Sequence, residues 1–248
     1  MYQPIYIYPK ILRILTSTTM RIVQQPLAVP IVTFECTSGD LCQLRHNELF
    51  PNTIRCIICG PSNSGKTLAL INLLFSENGP KFENVYIYSK SLYQPMYQLL
   101  ENVLGKVNGL GYHVYTENDD VIDPSEAKEN SIFIFDDVAC EKQDKIRSHF
   151  CMGRHKNTDS FYLCQSYARV PKHLLRDNAN MLVLFKQDSL NLKHVYQDHV
   201  NTDMSYKNFE LLCGKCWKDK KHGFLVICKD RDIQQGRYRM GFDKFVYI

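Results

Sequence analysis

The chain has 248 residues, of which 44% are hydrophobic, and its formal net charge is +4 at pH 7. This length and apolar content suffice for one α/β domain with a full core, and the small net charge excludes a polycation that binds nucleic acid through overall charge. The ten cysteines are too sparse for a secreted disulfide scaffold, so we expect an intracellular, reducing compartment.

The first 34 residues contain no acidic side chain, which sets this segment apart from the rest of the chain. Arg13 interrupts its apolar residues, and no run approaches the roughly 18 residues of a spanning helix, so we predict no stable membrane span. The segment is either a basic amphipathic surface or lies upstream of a translation start at Met20. We assign residues 1–30 to an N-terminal extension, untranslated in part or disordered, and residues 31–34 to an edge strand.

Residues 60–67 read G-P-S-N-S-G-K-T, a complete phosphate-binding P-loop. The preceding residues 53–59 predict a buried strand, and residues 68–74 repeat apolar side chains at helical spacing. In this context the backbone N–H groups face phosphate oxygens, the lysine reaches the β- and γ-phosphates, and the threonine hydroxyl binds Mg²⁺. The predicted nucleotide-binding residues are Gly60, Pro61, Ser62, Asn63, Ser64, Gly65, Lys66 and Thr67.

Further strands are predicted at residues 84–89, 112–115 and 181–185, with a helix at residues 95–107 between the first two. Strands that alternate with helices indicate a mainly parallel sheet with right-handed crossovers and flanking helices. The predicted fold class is therefore α/β, of the P-loop NTPase type.

Two further apolar runs end in polar side chains. Residues 131–135 lead into Asp136 and Asp137, so a buried strand would deliver both carboxylates to the edge of the sheet. Asp136 is the predicted Mg²⁺ ligand, and Asp137 is the predicted general base for the attacking water. Residues 161–164 lead into Gln165, whose amide is suited to contact both a water and a γ-phosphate oxygen. We predict that Gln165 senses the γ-phosphate.

Five features follow one another within residues 49–185. In chain order they are G-P-S-N-S-G-K-T, S-I-F-I-F-D-D, G-R-H-x₅-F-Y-L-C-Q-S-Y, L-R-D-N and the strand at residues 181–185. In this order and spacing the chain resembles the FtsK–HerA superfamily, and within it the genome-packaging ATPases of poxviruses, giant viruses, virophages and Maverick–Polinton elements. Proteins of that family form rings and move double-stranded DNA by ATP hydrolysis. The resemblance implies ATP and Mg²⁺ as cofactors. It implies double-stranded DNA, a homo-oligomeric pentameric or hexameric ring, and capsid or other virion proteins as partners, in the host cytoplasm or nucleus where virions assemble, or in the virion.

The resemblance also assigns roles to residues already singled out. Lys66, Asp137 and Gln165 are implied to be catalytic, and the strand that ends at Gln165 is implied to lie between the P-loop strand and the acidic strand. Many members carry glutamate where this chain has Asp137, and Glu141 is an alternative base.

One implied residue acts between subunits of a ring. Arg154 stands where the family offers an arginine to the nucleotide of a neighbouring subunit. Arg176 is the second candidate for this role. Such an arginine stabilises negative charge on the transferring phosphate.

Positive charge is concentrated at the C-terminal end of the chain. Residues 206–248 carry ten basic and five acidic residues, a net charge of +5, whereas residues 1–205 have a net charge of −1. The pattern predicts a helix at residues 206–213 and a terminal hairpin, which together form a small α+β appendage after an ATPase domain of residues 31–205. Its basic residues either track a DNA backbone or form a solvated face. These are Lys215, Lys218, Lys220, Lys221, Lys229, Arg231, Arg237 and Arg239, interleaved with Trp217, Phe224, Tyr238 and Phe242.

The appendage also contains three cysteines and a histidine whose spacing in the sequence is compatible with a tetrahedral Zn²⁺ site. These are Cys213, Cys216, His222 and Cys228. The alternative is a helix end with buried thiols, because Cys228 falls within a predicted strand. The sequence leaves both interpretations open.

Other P-loop classes make different demands on the sequence. A G protein needs N-K-x-D, and the nearest string, K-N-T-D at residues 156–159, reverses the first two residues. A small-molecule kinase needs an arginine-rich lid, for which Arg169 and Arg176 are candidates. The hypothesis of a nucleotide-gated assembly protein with little turnover also stays open, because Asp137 replaces the more common glutamate.

Overall fold

The computed structural model describes residues 45–248, apart from the side chains of residues 155, 156 and 174. The predicted N-terminal extension and the edge strand at residues 31–34 lie outside the described residues. Within residues 45–248, no helix has the length and apolar character that a membrane span requires. The strands are β1 (Arg55–Cys59), β2 (Asn84–Ser89), β3 (Gly111–Tyr115), β4 (Ser131–Asp136), β5 (Thr158–Cys164), β6 (Met181–Leu184), β7 (Leu225–Cys228), β8 (Tyr238–Met240) and β9 (Lys244–Val246). The α-helices are α1 (Lys66–Phe75), α2 (Pro95–Leu104), α3 (Asp144–Met152), α4 (Ser189–His199) and α5 (Tyr206–Asp219).

The nine described strands form one sheet in the order β3-β2-β4-β5-β1-β6-β7-β8-β9. The strands β1 to β6 are parallel, as expected for strands joined by helical crossovers, whereas β7, β8 and β9 are antiparallel to their neighbours. The strand β5 lies between β1 and β4. This arrangement confirms the predicted α/β fold with an extra strand between the P-loop strand and the acidic strand.

Both faces of the central sheet are covered, which explains why its parallel strands are nearly continuous apolar runs. On one face, Phe133 and Tyr162 belong to a core that includes apolar residues of α3, α4 and α5. On the other face, Ile58 and Ile134 belong to a core that includes residues of α1 and α2. Side chains that could bind a ligand or react with it are therefore confined to the sheet edges and to the loops that leave them.

Residues 206–248 form the predicted α+β segment, and their strands continue the main sheet beyond β6. The helix α5 extends past the predicted end at residue 213, because Phe209, Leu212, Cys213 and Cys216 recur at helical spacing on its buried face. The second strand of the predicted terminal hairpin is divided into β8 and β9, since residues 241–243 form a turn between them. The division of the chain into domains at residues 31 and 206 stays a prediction.

Candidate nucleotide-binding site

The carboxyl ends of the four central parallel strands meet at one edge of the sheet. Cys59 at the end of β1 is opposite Cys164 on β5 and Leu184 on β6, and Asp136 on β4 is opposite Leu163. The residues that follow these strands therefore leave the sheet side by side. This is the edge at which ligands bind in open α/β sheets.

The P-loop adopts a tight turn that its sequence makes possible. A Cβ atom on Gly60 would lie 2.6 Å from the Cβ of Phe185, so only glycine allows this approach. Asn63 and Gly65 have left-handed backbones, with φ of 61° and 102°. The Lys66 ammonium donates hydrogen bonds to the carbonyl oxygens of Gly60 at 2.7 Å and Pro61 at 2.9 Å. The loop thus curls around the first residue of α1, whose amino end favours anions.

One cavity of about 520 Å³ brings the predicted residues together. This volume is in the range of small-molecule sites. The Thr67 hydroxyl and the Asp136 carboxylate both line the cavity, and they are the hard oxygen donors that Mg²⁺ takes together with water and phosphate oxygens. The P-loop contributes Ser62, Asn63, Gly65, Lys66 and Thr67, and the neighbouring strands contribute Asp136, Asp137 and Gln165.

Asp136 is nearly buried, with 8% of its surface exposed, and its carboxylate accepts a hydrogen bond from the Tyr97 hydroxyl on α2. Burial raises the pKa of Asp136, while the Tyr97 hydrogen bond and the Lys66 charge act in the opposite direction. Tyr97 therefore favours the ionised carboxylate that a cation needs. Nothing in the sequence around Tyr97 indicated this contact.

Asp137 follows on an exposed turn with a left-handed backbone, at φ 58°, a conformation that aspartate tolerates better than most residues. The buried Ser91 hydroxyl donates a hydrogen bond to its carboxylate at 2.8 Å. The alternative base, Glu141, lies 3.9 Å from the Lys90 ammonium, and it does not line the 520 Å³ cavity. The structure therefore favours Asp137 over Glu141.

Gln165 is exposed at the end of β5, and the loop that follows it is fixed to α4. The Asn191 side-chain oxygen accepts hydrogen bonds from the Ser166 hydroxyl at 3.0 Å and from the Ala168 N–H at 2.8 Å. Asn191 in turn donates to Asp188, which caps the amino end of α4. The amide that we predicted as a sensor thus stands at the start of an anchored loop.

The two candidate arginines lie in different settings. Arg154 is exposed in the short helical turn Gly153–Lys156, at the amino end of β5 and therefore at the opposite sheet edge from the P-loop. Arg176 is 7% exposed, its Nη1 is 2.9 Å from the Asp198 carboxylate, and its guanidinium lies over the Tyr167 ring. A side chain held in this way is not free for a neighbouring subunit, which argues against the predicted role of Arg176.

His222, from the suggested zinc site, lies against the P-loop. Its Nδ1 is 2.9 Å from the Ser64 carbonyl oxygen, and a Cβ on Gly65 would be 3.0 Å from its ring. The three cysteines of that spacing are buried in α5 and β7, and burial raises the pKa of Cys216 to about 11, which keeps it a thiol. Among the described residues, no three His, Cys, Asp or Glu side chains are placed to hold a metal ion. The described geometry therefore favours a helix end with buried thiols over a zinc site.

Several residues of the predicted basic surface are also buried. Arg239 is 2% exposed, Arg237 pairs with Asp203, and Tyr238 donates to the same carboxylate at 2.6 Å. Trp217 donates to the Leu184 carbonyl oxygen at 3.0 Å. These contacts lie within the protein, since Asp203 is in the turn after α4 and Leu184 ends β6. These side chains cannot track DNA as predicted. The members of the predicted basic surface that are exposed on α5 and the following turn are Lys215, Lys218, Lys220 and Lys221.

The model of the poxvirus A32 protein family matches residues 42–228, which span the P-loop, both acidic residues, Gln165 and His222. The chain belongs to this family. The predicted resemblance to poxvirus proteins is thereby confirmed.

This A32-family protein is 27% identical over 142 residues to the DNA packaging protein OPG160 of vaccinia virus (strain Copenhagen) and 28% identical to that of variola virus. The match covers 52% of this chain and 52% of each relative, so the chain spans about half the length of the curated relatives it matches. Among solved structures, the genome packaging NTPase B204 of Sulfolobus turreted icosahedral virus 2, in complex with sulfate, has a TM-score of 0.51 at 14% identity. That likeness covers 73% of this chain and 94% of B204, and it supports the fold.

Proposed function

We propose that this A32-family protein is an ATP-hydrolysing motor that moves double-stranded DNA during the packaging of a viral genome. The observation that carries the proposal is the single cavity lined by the P-loop, Asp136, Asp137 and Gln165. Groups that bind phosphates, hold a metal and activate water are what hydrolysis of a nucleoside triphosphate requires. The names of its relatives, DNA packaging protein and genome packaging NTPase, support DNA as the cargo.

In this proposal the P-loop binds the phosphates of ATP. The backbone N–H groups at the start of α1 face the phosphate oxygens, and Lys66 exchanges its bonds to the Gly60 and Pro61 carbonyls for charge-assisted bonds to the β- and γ-phosphates. Thr67 and Asp136 would hold Mg²⁺, which when bound neutralises charge on these phosphates.

Asp137 then accepts the proton of the attacking water. The Ser91 hydrogen bond fixes the orientation of its carboxylate, and Asp137 lines the cavity. Gln165 orients the water and contacts the γ-phosphate. General bases of this kind contribute about 10²- to 10⁴-fold in rate.

Arg154 completes the site of a neighbouring subunit in a ring. Its exposure, and its place at the sheet edge opposite the P-loop of its own chain, support a role in trans. Mixing Arg154→Ala subunits with Lys66→Ala subunits tests this role, because a shared site needs the arginine of one and the lysine of the other. Mixed rings, verified by native mass spectrometry, should recover part of the activity that each variant lacks. Full activity of Arg154→Ala alone, or no recovery in mixed rings, would contradict the role.

Phosphate release from ATP, measured with and without duplex DNA, tests the proposed function. We expect Mg²⁺-dependent hydrolysis that duplex DNA stimulates and that Lys66→Ala abolishes, since the lysine contacts the transferring phosphate. Hydrolysis that ignores DNA, combined with phosphate transfer to a small molecule, would instead indicate a kinase. Tight ATP binding without turnover would indicate a nucleotide-gated assembly protein.

A further inference from the structure

We propose that a second cavity, beside His222, holds the base of the nucleotide whose phosphates the P-loop binds. This cavity has a volume of about 230 Å³, and its lining includes His222, Phe224 and Phe242. The inference rests on the proposed function, because it requires a nucleoside triphosphate in the P-loop. It adds a base-binding site formed by the C-terminal segment.

The sheet topology places this cavity at the same edge as the P-loop. Leu225, the first residue of the antiparallel strand β7, is opposite Leu184 at the end of β6, and it is also opposite Met240 at the end of β8. Residues 222–224 and residues 241–243 therefore both leave the sheet at the edge where the P-loop leaves β1. A hydrogen bond of 3.0 Å from the Gly241 N–H to the Phe224 carbonyl oxygen joins the two turns.

The direction of a bound nucleotide follows from the position of the hydrolytic groups. Asp136, Asp137 and Gln165 lie at the ends of β4 and β5, on one side of β1. The γ-phosphate must face these groups, and the base is at the other end of the molecule. The base therefore leaves toward β6 and β7. Two strand spacings, about 10 Å, separate β1 from β7, so the cavity lies within reach of a nucleotide held in the P-loop.

His222 connects the P-loop to the cavity. A carbonyl oxygen only accepts hydrogen bonds, so the contact with Ser64 places the proton on Nδ1 and leaves Nε2 as an acceptor in the neutral ring. The same ring packs against Gly65, and the same residue lines the cavity. His222 therefore contacts the phosphate-binding loop and also lines the cavity.

The walls and the rim of the cavity suit a flat heteroaromatic ring. The Phe224 and Phe242 rings lie 4.8 Å apart, and Phe224 packs on Phe185 next to the P-loop, so the wall is aromatic and fixed. At the rim, the Lys220 ammonium and the Asp243 carboxylate are 3.1 Å apart and remain partly exposed. A nucleobase has apolar faces and an edge of hydrogen-bond donors and acceptors, which this combination matches.

Comparing the binding of ATP with that of inorganic tripolyphosphate, which has no base, isolates the base contribution. Phe242→Ala should raise the Kd for Mg²⁺–ATP about tenfold, as expected for the loss of one stacking contact, and should leave the Kd for Mg²⁺–tripolyphosphate within about twofold. Phe242→Leu, which keeps the apolar packing but removes the ring, should show the same selective loss if Phe242→Ala is poorly folded. Phe245→Ala is the matched control, because Phe245 is an exposed phenylalanine on β9 outside the cavity.

The possible results separate this inference from the proposed function. The inference would be overturned if the Phe242 variants lost affinity equally for ATP and tripolyphosphate, or if their affinity for ATP did not change. The base would then lie over Leu68 and Val170 in the 520 Å³ cavity. Failure of the wild-type protein to bind either ligand, or binding that Lys66→Ala leaves unchanged, would overturn the proposed function itself.

Discussion

The P-loop has two flanks, and they are built in different ways. On the β4–β5 flank, parallel strands end in Asp136 and Gln165, so each strand delivers one side chain to the common edge. On the β6–β8 flank, the connection from α5 to the antiparallel strand β7 brings in His222, which lies 158 positions from its contact at Ser64. Parallel strands place reactive groups directly after apolar runs in the sequence. The connections to antiparallel strands instead bring segments to the site that are distant from the P-loop in the sequence. In the proposed function the first flank performs the chemistry, and in the further inference the second flank holds the base.

The largest expected effect concerns the β4–β5 flank, which carries Asp136 and Asp137. Asp137→Asn removes the proposed base and should lower kcat about 10²-fold or more, while the Kd for Mg²⁺–ATP stays near the wild-type value. Asp136→Asn should in addition weaken Mg²⁺-dependent ATP binding, because it removes a metal ligand. Single-turnover hydrolysis and equilibrium binding measure the two effects separately. Equal loss of ATP affinity in both variants would contradict this division of roles.

A second variant disturbs the contact between the P-loop and the β6–β8 flank. Gly65→Ala forces a side chain into a left-handed backbone, and its Cβ would lie 3.0 Å from the His222 ring. We expect ATP affinity to fall at least about tenfold. Gly109→Ala is the matched control, because Gly109 has φ 85° and no atom within 4 Å of an added Cβ. Both variants should lose stability in denaturant titrations through backbone strain, but Gly109→Ala should keep normal ATP affinity.

The two flanks also differ in how far the sequence predicts them. The P-loop, Asp136 and Gln165 could be predicted because their signals are local, namely a motif and polar residues that directly follow apolar runs. Ser91 and Tyr97 could not, since tertiary packing of α2 and its preceding loop brings them to the acidic residues. On the second flank, spacing alone suggested zinc for His222. The spacing of potential ligands in the sequence does not show which face of α5 is buried.

The third prediction concerns the pH dependence of the metal site. Burial raises the pKa of Asp136 and the Tyr97 hydrogen bond lowers it, so Tyr97→Phe should raise this pKa further. Because the ionised form binds Mg²⁺, activity should be lost at a higher pH in this variant than in the wild type as the solution is acidified. Activity near neutral pH should change little. Tyr93→Phe, at a side chain that is 76% exposed, is the control and should leave the acid limb of the pH profile in place.

The smallest expected effect tests whether the exposed lysines of the C-terminal segment contact DNA. Replacing Lys218 and Lys221 with Gln should reduce the slope of log affinity against log salt by about two for duplex DNA, because each phosphate contact releases counterions. Basal ATP hydrolysis should be unaffected. Lys106→Gln, at the opposite sheet edge, serves as the control. An unchanged slope in the folded double variant would assign DNA contact to other loops of the core.

The roles of the two flanks are tested most directly by a structure of the protein with a non-hydrolysable ATP analogue, Mg²⁺ and duplex DNA. We expect the γ-phosphate between Lys66 and Gln165, the metal ion on Thr67 and Asp136, and the base against Phe242 beyond His222. A base over Leu68 and Val170, or a nucleotide bound away from the P-loop, would contradict these roles.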